Sequence, residues 1–154
     1  MEKLSIEMLS PYLPYGLKGI EDESEKVHEL LGLNGGKCLL KDCNYQRSET
    51  FIITEFTRPD YWQPLKDFTP LLRPMSEFTI ESEAYKEMAK HLMNLHADTN
   101  IANWTMYLDS MKHSSYKDLH YWQVQILAKH HFDFQNLLGR NLAKPIINDN
   151  LKEK

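Results

Sequence analysis

The stretch "KVHELLGLNGGKCLLK", residues 26–41, decides the fold of the first half of the chain. Two short apolar runs flank the triplet Asn34-Gly35-Gly36. A tight type I′ turn needs positive φ at both of its central residues, and glycine adopts that geometry without steric cost. The sequence therefore predicts a β-hairpin in which "KCLLK" pairs back on "HELLGL".

Two further segments are predicted to extend this hairpin into a sheet. "GLKGI", residues 16–20, alternates apolar and polar side chains, and "ETFIITEF", residues 49–56, is rich in β-branched and aromatic residues. Three or four strands of this length form a small antiparallel sheet, either curled or barrel-like. Residues 1–57 are thus predicted to comprise a short helix followed by a β-sheet.

Residues 58–80 contain four of the seven prolines, at positions 59, 64, 70 and 74. Proline lacks the backbone N–H that a helix interior or a central strand requires. The segment also carries large apolar side chains, which a flexible linker between two domains would lack. We therefore interpret it as an ordered crossover that packs on the sheet, and a linker between two domains is the alternative.

The second half of the chain has helical periodicity. Apolar residues at helical spacing predict one helix over 83–96, a second that begins near Ile101, and a third and longest one from Ser114 or Ser115 to Gly139. Residues 81–140 are thus predicted to be helical, and residues 141–154 to form a tail. The predicted fold is a single α+β domain in which about three C-terminal helices pack on the N-terminal sheet.

Composition restricts the possible functions. The chain has 154 residues, 42% hydrophobic and 26% charged, with a formal net charge of −4, which is ordinary for one globular domain and argues against a general binder of the phosphate backbone. No apolar run approaches the roughly 20 residues that span a bilayer, and the N-terminal residues lack a signal-peptide pattern. We expect a cytoplasmic protein with no membrane contact. Cys38 and Cys43 lack zinc-hook spacing, and no cofactor is expected.

The cluster with the most chemically able side chains is His130, His131 and Asp133, inside "QILAKHHFDFQNLLGR", residues 125–140. On a helical wheel both imidazoles fall on or beside the apolar face, so the favoured interpretation is structural. The alternative is a metal or acid–base site, in which His130 and Asp133 at i, i+3 spacing supply two of the ligands.

A second set of candidates lies in the proline-rich segment: Tyr61, Trp62, Arg73 and Glu77. Aromatic and arginine side chains held by a rigid loop are typical of binding surfaces. An arginine there can bind a carboxylate or a phosphate, or it can satisfy carbonyl groups of its own loop.

Three pieces in a fixed order carry a resemblance: "LSIEMLSPYLPYGLKG" at 4–19, "FTPLLRPMSEFT" at 68–79 and "YWQVQILAKHHFDFQNLLGRNLAKPIIND" at 121–149. This order resembles a family of uncharacterised proteins encoded by bacterial phages and prophages, which has no assigned activity. The resemblance implies a phage or mobile-element setting and no catalytic residue. It draws attention to Arg73 and to His131 with Asp133 as a possible site.

The leading functional hypothesis is a non-enzymatic accessory protein that binds another macromolecule, a protein of the phage or of its host. It predicts an exposed apolar patch on the folded surface. One alternative is a metal-binding or acid–base enzyme that uses His130, His131 and Asp133. The other is a nucleic-acid-binding small barrel, which needs a basic face built from Lys18, Lys26, Lys37, Lys41 and Arg47.

Overall fold

The structure is a computed structural model that describes residues 2–22, 26–43, 60–95 and 101–146. The predicted α+β class is confirmed: within these residues an open, mixed sheet of six strands packs with four α-helices, one before the first strand and three between the fifth strand and the sixth. The strand order is β4-β3-β2-β1-β5-β6, antiparallel except for the parallel pair β5–β6. The strands are β1 Lys18–Glu21, β2 Val27–Asn34, β3 Lys37–Asp42, β4 Asp60–Pro64, β5 Phe68–Leu72 and β6 Lys144–Pro145.

The predicted hairpin is confirmed as the pair β2–β3. Asn34 lies opposite Lys37, and Gly35 and Gly36 form the turn with φ of 54° and 79°. The register shifts between Leu30 and Gly32, so β2 contains a bulge there. The predicted strand at 49–56 lies outside the described residues.

The prediction for the proline-rich segment is wrong over residues 60–72, which form β4 and β5 rather than an irregular crossover. Pro64 ends β4, an edge strand in the described sheet. Pro70 lies opposite Gly19, while the Asp22 N–H donates to the Asp67 carbonyl three residues away along the same ladder. Because hydrogen-bonded pairs alternate along an antiparallel ladder, Pro70 falls at a position that sends no N–H towards β1.

The helices begin with α1 Ile6–Leu9, which a 3-10 helix continues through Tyr15. Helices α2 Glu83–Leu95 and α3 Ile101–Met111 begin where the sequence predicts them, and the Ser82 hydroxyl accepts a hydrogen bond from the Tyr85 N–H at the start of α2. The prediction for the third helix is wrong. Helix α4 spans only Tyr121–Lys129, and the chain then turns through a left-handed His131 at φ 58°.

One cluster of buried side chains joins the two halves of the chain. The inner face of the sheet contributes Leu30, Cys38 and Leu40. Tyr12 and the helical half add further fully buried members: Phe78, Met88, Leu108, Leu127, Phe132 and Leu137. Ile20, Val27 and Leu39 are only partly buried and do not belong to this cluster. The sheet therefore has one face on the core and one face turned away from it.

Candidate functional site

The histidine segment, which we define as residues 130–140, follows α4 directly. Its two imidazoles contact different elements: His130 Nε2 lies 2.9 Å from Glu87 Oε2 on α2, and His131 Nε2 lies 2.9 Å from the Tyr15 carbonyl oxygen. The left-handed turn at His131 separates the rings, so the helical wheel does not describe their directions.

Asp133 is a buried carboxylate that organises the segment. Its Oδ1 accepts a hydrogen bond from the Leu137 N–H at 2.7 Å, and its Oδ2 accepts one from the Leu138 N–H at 2.8 Å. Burial raises the pKa of Asp133, and these two hydrogen bonds partly offset that rise. The interpretation of His130 and Asp133 as a helical i, i+3 pair is therefore wrong, because both carboxylate oxygens cap the following turn.

Arg73 fixes the same segment through its backbone. The Arg73 N–H donates to the His131 carbonyl, and the Arg73 carbonyl accepts from the Asp133 N–H, both at 2.8 Å. Burial lowers the pKa of His131. The positive charges of Arg73, His130 and Lys18 lower it further, whereas the hydrogen bond to the Tyr15 carbonyl raises it. A neutral imidazole then donates its Nε2–H to the Tyr15 carbonyl.

His130, His131 and Asp133 consequently do not converge on one point. Within the described ranges, no group of three histidine, cysteine or acidic side chains has the geometry to hold a metal ion. Each of the three side chains already has a partner inside the protein, and each contact fixes the path of the chain after α4.

The second set of candidates is spread over the molecule. Trp62 lies on β4 and Arg73 directly follows β5, so β3, β2 and β1 separate them, a distance of roughly 19 Å at the usual strand spacing. Tyr61 is opposite Leu40 in β3, and Glu77 is exposed at the end of a 3-10 turn. The structure therefore does not bring these four residues into one surface.

Arg73 remains distinctive on its own. Its backbone is held at both ends, yet its half-buried guanidinium forms no hydrogen bond or ion pair in the described part of the chain. The guanidinium thus does not satisfy carbonyl groups of its own loop.

Trp62 is the centre of a different surface, on the face of the sheet turned away from the core. Its side chain is 49% exposed and lies opposite Leu39, which in turn lies opposite Gly32. The indole reaches across β3, because Cη2 is 3.9 Å from the position that a Cβ on Gly32 would take. Leu31, at the bulge, is 40% exposed beside them.

Two lysines flank this apolar group. Lys37 lies two residues before Leu39 in β3 and Lys41 two residues after it, so all three side chains share one face of the sheet. Both lysines are exposed. Neither ammonium group forms a hydrogen bond or an ion pair within the residues that the structure describes. We call the five residues Leu31, Lys37, Leu39, Lys41 and Trp62 the outer patch. An apolar centre with a charged rim is the usual composition of a protein-binding surface.

Sequence reasoning missed a buried polar group on the opposite face of the sheet. His28 is almost fully buried, with Nε2 3.6 Å from Glu21 Oε2, and the Gln63 amide donates to Glu21 Oε1 at 2.8 Å. Nearby Cys38 has its pKa raised to about 11 by burial, so it is an unreactive thiol. The alternation that places Leu30 inward also places His28 inward, and that was the available signal.

Comparison of the chain with protein family models, with curated proteins and with solved structures finds no match in any of the three. Among the described residues, none of the helices is both long enough and apolar enough to cross a membrane.

Proposed function

We propose that the chain is an accessory protein, encoded by a phage or prophage, that binds another protein through the outer patch. The observation that carries this proposal is the half-exposed indole of Trp62, lying on Leu39 outside the core. Tryptophan is among the residues that dominate the free energy of binding at protein interfaces.

The charges of the patch indicate the chemistry of the partner. Lys37 and Lys41 are exposed at the rim, and neither ammonium group has an acidic partner among the side chains that the structure describes. Glu29 and Asp60 lie opposite Lys41 in the two neighbouring strands and moderate this positive charge. The complementary surface is an apolar centre with acidic residues around it.

The phage setting rests on the three sequence pieces that resemble phage- and prophage-encoded proteins. Each of the three supplies one of the Tyr15, Arg73 and Asp133 contacts that hold the histidine segment in place. These pieces therefore account for folding, and the partner is expected to be a phage or host protein recognised elsewhere, at the outer patch.

Affinity capture from an extract of the bacterial host tests the proposal. The wild-type chain and the variants Trp62→Ala and Tyr121→Ala are immobilised at equal density, and the captured proteins are identified. Tyr121 is the matched control, because it is a still more exposed aromatic residue, at 77%, on α4. We expect a protein that wild type and Tyr121→Ala retain and that Trp62→Ala loses. Equal capture by all three chains contradicts the proposal.

Nucleic-acid binding is the second candidate, because Lys18, Lys37 and Lys41 share the outward face with Trp62. Stacking of bases on an aromatic side chain beside cations is typical of single-strand binding. Retention on single-stranded DNA with an affinity that falls steeply with salt concentration would favour this candidate over a protein partner.

A further inference from the structure

A groove of about 430 Å³ runs between α2 and α4, away from the outer patch. Each helix lines it with one stripe at i, i+3, i+4 and i+7, starting from Glu87 on α2 and from Trp122 on α4. Glu87 contacts the C-terminal end of α4 and His91 contacts its N-terminal end, so the helices run antiparallel. The volume lies within the range usual for small-molecule sites.

One end of the groove is ionic. The Lys129 ammonium lies 2.9 and 3.0 Å from the two oxygens of Glu87, and His130 contacts the same carboxylate. Burial raises the pKa of Glu87, but the hydrogen bonds from His130 and Lys129 outweigh it and the pKa is lowered overall. The Lys90 side chain, one turn further along α2, forms no hydrogen bond or ion pair within the described ranges. This end therefore has an excess of positive charge.

The other end of the groove is aromatic and carries amide groups. The His91 ring lies against Trp122 with a centroid separation of 4.5 Å. The Asn94 and Gln125 side chains line the groove beside this pair. The Gln125 amide nitrogen donates to the Tyr121 hydroxyl, which leaves its carbonyl oxygen able to accept a hydrogen bond.

We propose that this groove binds a small organic anion that joins a flat ring to a carboxylate or phosphate. The ring lies by Trp122, and the anionic group reaches Lys90. Lys90 directly precedes His91, whose ring contacts Trp122, so a ring and an attached anion in one molecule can reach both groups. A ring with hydrogen-bonding edges, as in a nucleoside monophosphate, would also engage Asn94 and Gln125.

The test is a titration of the full chain followed by NMR at the Trp122 indole N–H, whose resonance is assigned by its loss in Trp122→Phe. The probes are adenosine monophosphate, phenyl phosphate and inorganic phosphate. We expect both organic phosphates to shift the resonance with saturation. Tighter binding of adenosine monophosphate assigns a nucleotide, and equal binding assigns a simple aromatic anion.

Charge reversal separates this site from general attraction of anions. Lys90→Glu should weaken binding of the organic phosphates about tenfold, whereas Lys117→Glu, on an exposed 3-10 turn, should change it less than twofold. Three results overturn the proposal: no saturable shift with either organic phosphate, an equal shift with inorganic phosphate alone, or equal weakening by both variants. Circular dichroism of Lys90→Glu establishes that the exposed substitution leaves the fold intact.

Discussion

The histidine segment and the outer patch differ in how their polar and aromatic groups are used. In the segment, His130, His131 and Asp133 each have a partner inside the protein. In the outer patch, Trp62 is half-exposed, and Lys37 and Lys41 form no hydrogen bond or ion pair in the part of the chain that the structure describes. The region with the richest chemistry thus makes contacts within the fold, whereas the outer patch exposes groups that the proposal assigns to binding.

This difference separates stability from function, and it predicts which variants change which property. Substitutions in the histidine segment should lower the free energy of unfolding, because they leave buried groups without partners. Substitutions in the outer patch should change binding and leave stability almost unaltered.

The largest effect on stability is expected from Asp133→Ala. The substitution leaves the Leu137 and Leu138 N–H groups without their acceptors in a site where Asp133 is only 5% exposed. We expect the free energy of unfolding to fall by about 2–5 kcal/mol, measured by urea denaturation. The matched control is Asp109→Ala on the exposed side of α3, where the loss should stay below about 0.5 kcal/mol. Equal losses in the two variants would show that Asp133 has no special structural role.

A smaller effect is expected from Tyr12→Phe. The buried Tyr12 hydroxyl donates to the Phe132 carbonyl at 2.9 Å, and the ring stacks on Phe134 with centroids 5.2 Å apart. Phenylalanine keeps the stacking and removes the hydrogen bond, so the free energy of unfolding should fall by about 1 kcal/mol. Tyr116→Phe, at an exposed ring, is the control and should be neutral. A neutral Tyr12→Phe would mean that this hydrogen bond does not hold the segment.

The pH dependence of stability is expected to report on His131. Its pKa is lowered from 6.5 in the folded state, so the unfolded chain binds the proton more readily. The contribution of His131 is fully present above pH 6.5, and it is lost as the pH falls below that value and through the lowered pKa of the folded state. His131→Asn removes the titrating ring and tolerates positive φ. Urea midpoints at pH 5.5 and 7.5 should therefore differ less in His131→Asn than in wild type, and an equal difference would contradict this role.

Local signals were sufficient to predict the hairpin and two of the helices. Asn34-Gly35-Gly36 specifies its turn through backbone conformation alone, and the Ser82 hydroxyl accepts the Tyr85 N–H at the start of α2. The course of residues 130–140 depends instead on Tyr15, Arg73 and Asp133, which contact it from distant parts of the sequence or across a turn. Helical periodicity depends only on spacing along the chain and gives no information about such contacts. The apolar residues after Lys129 were therefore predicted to continue the helix.

The candidate sites show the same limit. Trp62 and Arg73 are neighbours in the proline-rich sequence but are separated by three strands, because β4 and β5 occupy different places in the sheet. Trp62 and Leu39 lie opposite each other only because of the register between β3 and β4. The prolines argued against a strand at β4, so this register was not predicted. The groove likewise depends on the pairing of α2 with α4, which the spacing of residues within either helix does not predict.

The smallest effect on stability is expected from Trp62→Ala, and this variant tests the central claim most directly. The measurement combines its free energy of unfolding with its affinity for the protein that the wild-type chain captures. Because the indole is half-exposed and outside the core, we expect a stability loss of less than about 1 kcal/mol and a roughly 30-fold loss of affinity. A variant that binds as tightly as wild type would contradict the assignment of function to the outer patch.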